Sequence, residues 1–268
     1  MAPIDTSDKD YTSVDIGGWP CFVEEGWDGD DDNLKQRITK DIEAAKNAMP
    51  EGISAELMKT TPIYINRTMA YGPAACPIAG SGIRFHSSAE WIEQVGLSAE
   101  KLGAIELFEA AEYMDDCDDW GAGGVFLRMM ASAYHFKIVE NGYENEEIDL
   151  CYKKAMKQSL YDEVAVKTDG VEAESKGYAT ISPQAYFSEL STALLGGTDK
   201  EEKFNKWQPF NQEEIKSFDP RAFKMLQKMW GVDIDGKAKT TKSVPAAGTR
   251  KKKPLNPPKT VEAVAELE

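Results

Sequence analysis

Few residues in this 268-residue chain are equipped for chemistry. There are two histidines, His86 and His135, and four cysteines, Cys21, Cys76, Cys117 and Cys151, widely spaced with no C-x-x-C pair. That spacing excludes a zinc ribbon or a thioredoxin-type motif, and free thiols are expected. No G-x-S-x-G elbow presents Ser87, Ser88, Ser132 or Ser191 as a nucleophile. A thiol–imidazole pair would draw on Cys117 or Cys151 with His135. Nothing local activates either thiol, and the carboxylates around Cys117 should raise its pKa. Gly121-Ala-Gly-Gly124 has neither the Lys-Ser/Thr ending of a phosphate loop nor the spacing of a dinucleotide site; a close-packed turn ahead of a helix explains it. Two acidic clusters, Glu24, Glu25, Asp28, Asp30, Asp31, Asp32 and Asp115, Asp116, Asp118, Asp119, lack the spacing of a calcium loop. They read as solvated loop and helix start. Arg128, Ser132 and His135 follow one another at helical spacing and share a face. Glu189 would complete a metal-capable set with His135, although a structural hydrogen bond is the plainer role for His135, and for His86.

The elements that must position these groups can be read from periodicity. A strand is expected at Trp19 to Glu24. A helix is expected from about Asn33 to Met49, capped by Asp32, with Leu34, Ile38, Ile42, Ala45 and Met49 on one face. Thr61 to Asn66 alternates like a strand, and Pro62 favours an edge or a first position. Further strands are expected at Gly82–His86 and Ala104–Phe108. A short helix is expected at Ser87–Val95. Longer ones follow at Gly121–Val139, Glu146–Leu160, Pro183–Leu195 and Pro220–Trp230, the last opening on Asp219-Pro220 as cap and first position. Strands come first and helices later, which is an α+β order.

The stretch from Trp120 to His135 carries a resemblance. It looks like the active-site helix of a zincin-like metallopeptidase family related to the catalytic domain of anthrax lethal factor, in which Gly-Gly and an apolar run lead into His-Glu-x-x-His, often followed by Ala-Tyr-His. Ala185-Tyr-Phe-Ser-Glu-Leu-Ser191 is similar to the family's segment carrying the third metal ligand. Pro62-Ile-Tyr-Ile-Asn66, Phe204-Asn-Lys-Trp-Gln-Pro-Phe-Asn211 and Asp219-Pro-Arg-Ala-Phe223 also resemble family segments, and together they span about residues 19–231. The resemblance implies a zincin-like fold: a mixed sheet region, a central former active-site helix and a helical C-terminal half. Aligned on Ala133-Tyr134-His135, the first ligand His is Arg128, the catalytic Glu is Met129 and the second His is Ser132. Only Glu189 matches, with His135 and Tyr186 as accessory positions. One carboxylate and one hydroxyl do not make a tetrahedral zinc site, and an arginine repels a cation. Zinc is therefore expected to be lost, the motif degenerate and the chain a pseudo-peptidase. A charge-assisted bridge from Arg128 to Glu189 is expected in place of the metal, and Met129 is expected to fill core space.

Charge divides the chain. Residues 237–268 are net +5 and rich in Pro and Lys, whereas residues 1–236 are net −20. The first segment reads as a basic flexible tail that docks on an acidic surface; residues 1–18 read as an extension and 19–236 as the domain. The acidic body disfavours nonspecific nucleic-acid binding. No stretch is apolar enough to span a membrane. Met1 to Asp8 is not a signal sequence, so the expected setting is soluble and intracellular, in the cytoplasm or an organelle lumen after leader removal, with secretion left open. Asn66-Arg67-Thr68 is a glycosylation sequon, relevant only to a secreted chain. The expected function is a catalytically inactive binding or structural subunit of an assembly with protein partners. The alternative is a residual metal-dependent hydrolase using Glu189 and His135.

Overall fold

The computed structural model describes residues 9–26, 32–68, 70–71, 76–77, 82–168 and 171–233. The tail expected over 237–268 lies outside them, as do Asp28, Asp30 and Asp31 of the first acidic cluster. The chain opens with a hairpin, β1 (Tyr11–Ile16) and β2 (Trp19–Glu24), then α1 (Asp32–Ala48), α2 (Glu51–Thr60) and β3 (Ile63–Ile65). A two-residue ladder, β4 (Ala70–Tyr71) with β5 (Cys76–Pro77), precedes β6 (Ile83–Phe85), α3 (Ala89–Val95) and β7 (Ile105–Leu107). The rest is mostly helical: α4 (Tyr113–Cys117), α5 (Gly124–Lys137), α6 (Glu146–Lys157), the hairpin β8 (Val164–Thr168) and β9 (Val171–Ser175), α7 (Pro183–Gly196), α8 (Gln212–Phe218) and α9 (Pro220–Trp230). This is an α+β fold with a mixed sheet.

The sheet runs β1-β2-β3-β7-β6, with β2, β3 and β7 parallel and both outer strands antiparallel to their neighbours. Side chains alternate across a strand, so the register sorts them into two faces. Cys21, Ile63, Ile65, Ile105, Leu107 and Phe85 share one face and join the main core with α1, α2 and α5. Phe22, Tyr64, Glu106 and Arg84 share the other. Both faces of β3 are buried, which explains a strand that is not amphipathic. Pro62 precedes β3, as a first-position proline should, but the strand is central, not an edge.

The residues called an N-terminal extension include β1, which pairs along its whole length with β2. Its sequence, Tyr-Thr-Ser-Val-Asp-Ile, exposes several polar side chains and gives little hydrophobic signal. The sequence reading also lacks α2, α4, α8 and the β8–β9 hairpin. These are short or bury few residues, so their periodicity is faint. The expected helix stripe on α1 is buried at all five positions. Asp219 caps α9, accepting from the Ala222 N–H at 3.1 Å, and Ser182 caps α7 through Ala185 N–H at 3.1 Å.

The glycine run is the packing device that seats α5. Gly123 caps the helix in the left-handed region at φ 78°. A Cβ there would lie 2.5 Å from the Asp41 carbonyl and 2.8 Å from the Ala45 nitrogen, so α1 and the start of α5 touch backbone to backbone. The Gly123 N–H donates to Asp41 Oδ1 at 3.1 Å. Gly121 donates its N–H to the Phe204 carbonyl, and a Cβ on Gly121 or Gly196 would overlap the Phe204 ring. Gly123→Ala should therefore cost at least about 1–3 kcal/mol, from strained φ plus a clash with immobile backbone. Urea unfolding measures it; an unchanged midpoint would refute the backbone contact.

Candidate functional site

Helix α5 lies against α7, and both are buried nearly all round. Such helices have no solvent face to give away, so a polar side chain on either one must find a partner or an opening. Arg128 finds an opening. Its guanidinium sits between the Tyr178 ring, 4.7 Å from the centroid, and the Trp120 ring, 5.4 Å away. It lines a notch of about 130 Å³ with Gly82, Ile83, Trp120, Val125, Lys206 and Trp207. No carboxylate lies within ion-pair distance of it among the described residues, and its Nε has no hydrogen-bond partner. Lys206, on the loop held by Phe204, pairs with Asp119 at 2.7 Å.

The expected bridge from Arg128 to Glu189 does not form. Glu189 is buried, and neither carboxyl oxygen has a hydrogen-bond partner. Burial pushes its pKa up to about 7, against the pull of Arg128, Asn205 and Lys206. The physical reason is competition. The aromatic faces of Trp120 and Tyr178 hold the guanidinium at the notch, where it keeps contact with water, and drawing it inward would cost several kcal/mol of desolvation. Both Asn205 amide protons are engaged, with the Trp207 carbonyl at 2.7 Å and the Pro209 carbonyl at 3.3 Å. Its Oδ1 is left without a donor.

The other residues singled out from sequence have ordinary roles. Met129 is buried core. The Ser132 hydroxyl donates back to the Arg128 carbonyl at 3.2 Å. Tyr186 donates to Asp219 Oδ2 at 2.6 Å and so supports the α9 cap. Neither ring nitrogen of His135 has a well-formed hydrogen bond, and its one polar neighbour is the Gly142 backbone, which weakly favours the protonated ring. It is packed between Tyr143 and Phe187, with centroids 4.9 and 4.7 Å away, and burial lowers its pKa to about 4. Asp119 is buried and ion-paired, not solvated. Cys21, Cys117 and Cys151 are free thiols. Cys117 is raised to about 11, first by burial and then by Asp41 and Asp118. Among the described residues, no three His, Cys, Asp or Glu side chains gather as metal ligands.

Beside the notch, among the described residues, β6 is the outer strand of the sheet. His86 N–H bonds to the Ala104 carbonyl and Phe108 N–H to the Gly82 carbonyl. Antiparallel pairing alternates, so Gly82, Arg84 and His86 face β7, while the peptide groups of Ile83 and Phe85 face outward. Among the described residues these have no main-chain partner.

On the sheet's other face is a network that sequence reasoning missed. Glu106 is fully buried; its Oε2 meets His86 Nε2 at 2.7 Å, and its Oε1 accepts from Asn66 Nδ2 at 2.7 Å and from Lys101. Tyr11 donates to Asn66 Oδ1 at 2.8 Å and accepts from Lys101 at 2.9 Å. Burial acts to raise the Glu106 pKa, but His86 and Lys101 overcome it and bring it down to about 2. His86 thus has the structural role expected of it. Asn66, the sequon residue, is buried with its amide spent on Glu106. These residues come from separate elements, so no local pattern could reveal them.

Comparison with known proteins returns no match to the chain, whether among family models, curated proteins or solved structures.

Two stability predictions follow from the opposed carboxyls. For Glu189, a folded pKa above the ordinary 4.5 means that stability is full below about 4.5 and falls as pH rises through 7. His135 has the opposite slope, losing stability as pH falls from 6.5 toward 4. The two nearly cancel in the unaltered protein, so a variant must separate them. Glu189→Gln should be more stable than the parent at pH 8, by of order 1–3 kcal/mol, with the gain vanishing near pH 4.5. Lower stability at pH 8 would mean a charged carboxylate bridged to Arg128. Glu106→Gln should lose about 3–5 kcal/mol at pH 7 by stranding Lys101. That loss should shrink as pH falls from about 4.5 through 2, where the parent carboxylate itself protonates. Paired urea titrations across pH measure both.

Proposed function

We propose that this chain is a zinc-peptidase-like scaffold that holds an extended segment of a protein partner without cleaving it. The observation that carries this reading is the outward-facing edge of β6 beside the notch on α5, a place where a peptide can add as a strand. The ordered run of family-like segments supports the zincin-like part of it. The chemistry of the positions does not fit zinc: Arg128 and Ser132 offer neither imidazole nor thiolate, the Met129 thioether is packed in the core, and Arg128 is a permanent cation. A buried carboxyl whose two oxygens lack donors is what a departed metal would leave behind, and Glu189 has that form.

Short peptides alternating valine with a polar residue test the reading by calorimetric titration of the intact chain. At least one should bind, and Ile83→Pro should weaken it about tenfold or more by removing an outward N–H at an edge position where proline is tolerated. Equal binding by a folded Ile83→Pro variant would sink strand addition. Mass spectrometry should show the peptides uncut after long incubation, and elemental analysis should show no stoichiometric zinc. Chelator-sensitive cleavage would instead establish the hydrolase reading built on Glu189 and His135.

A further inference from the structure

We infer that the notch at Arg128 selects an acidic side chain, so that the segment added along β6 is an acidic one from a partner protein. This rests on the strand-addition reading above. A guanidinium is a fork of donors with no acceptor capacity, and among the described residues Arg128 reaches the notch with no carboxylate in ion-pair range and with Nε unpartnered. Trp120 and Tyr178 hold it by their faces, which fixes its plane and reduces the entropy lost when a carboxylate arrives. The buried Glu189 carboxyl makes no ion pair with it, and burial raises its pKa to about 7, so at neutral pH it offsets the Arg128 charge only in part. Lys206, the second cation on the notch, is already matched by Asp119. The notch therefore keeps a net positive charge, walled by Trp120 and Trp207, whose rings meet edge to face at 5.9 Å.

The register decides which side chain arrives. Ile83 lies on the helix-facing side of the sheet and also lines the notch. A strand pairing with its outward peptide group alternates sides, so every second residue of the incoming strand points to the helix-facing side, and the one beside Ile83 faces the notch. A volume of about 130 Å³ admits one short side chain, roughly the room of four waters. Arg84 projects from the opposite face of the same edge and stacks on Trp91 at 4.3 Å, so the intervening positions also meet a cation.

Two facts discriminate among occupants. The chain's own tail, 237–268, is net +5 and has the wrong sign for Arg128. The body is net −20, which repels an acidic partner at long range, but charges beyond ~8 Å are largely screened at physiological salt. The local cation therefore outweighs the global charge.

The test compares three short peptides on the intact chain: valine alternating with glutamate, with glutamine or with lysine. The glutamate peptide should bind about tenfold or more tightly than its glutamine isostere, and the difference should shrink as salt is raised. Arg128→Gln should erase the preference; Lys206→Gln should leave most of it. If Arg128→Gln does not fold, the isosteric peptide pair and its salt dependence still decide. Equal affinity for glutamate and glutamine peptides overturns the acidic selectivity while leaving strand addition standing. Binding by none of the three overturns both readings. Tightest binding by the lysine peptide, or a dimer of the chain that Ile83→Pro dissolves, assigns the edge to a basic segment or to a second copy and also overturns the inference.

Discussion

The placement of everything near the cleft depends on one buried carboxylate. Asp41, on α1, accepts from the Gly123 N–H at the start of α5, from Tyr113 at 2.7 Å and from Arg37 at 2.8 Å. A carboxylate at a helix N-terminus meets unpaired N–H groups and the positive end of the dipole, so this contact fixes where α5 begins. Gly123 lets the two backbones close on each other, and Gly121 extends the same close fit to Phe204. The rotation of α5 then determines that Arg128 emerges beside β6, and the Phe204 anchor determines that Lys206 and Trp207 stand across from it. Cleft geometry is thus inherited from a packing constraint some distance from any reactive group.

The buried acid on the sheet and the one on α7 are treated in opposite ways. Glu106 has three partners and a pKa near 2, so its charge is stabilised more by hydrogen bonds and cations than it is penalised by burial. Glu189 is equally buried, has no hydrogen-bond donor and rises to about 7. A cluster that satisfies its members stabilises the fold, whereas an orphaned carboxyl costs stability once it ionises. Such a cost is tolerated where a position once did something else, which is why Glu189 marks the centre of the proposed vestigial site more clearly than Arg128, whose own contacts are good.

Much of the fold was legible in the residues. The buried stripe of α1, the caps at Ser182-Pro183 and Asp219-Pro220, the strand-like runs at β3, β6 and β7 and the close-packed meaning of the glycine run all have local chemical signatures. Strand β1 and the β8–β9 hairpin were not legible, because edge and two-stranded elements expose most of one face and blunt the hydrophobic alternation. Of the site residues, Met129 and His86 took the structural roles expected. His135 is surrounded mainly by the Tyr143 and Phe187 rings, which spacing along the helix could not reveal.

Sequence alone determined the α+β order, the division of charge between body and tail, and the residue types standing at positions 128, 129, 132 and 189. Only the tertiary structure decided where the Arg128 charge goes. Helical spacing specifies which residues share a face, but not what faces them. Trp120, Tyr178 and the β6 edge come from three separate segments, and the balance between stacking at a wet notch and desolvation beside Glu189 exists only once those segments have packed together.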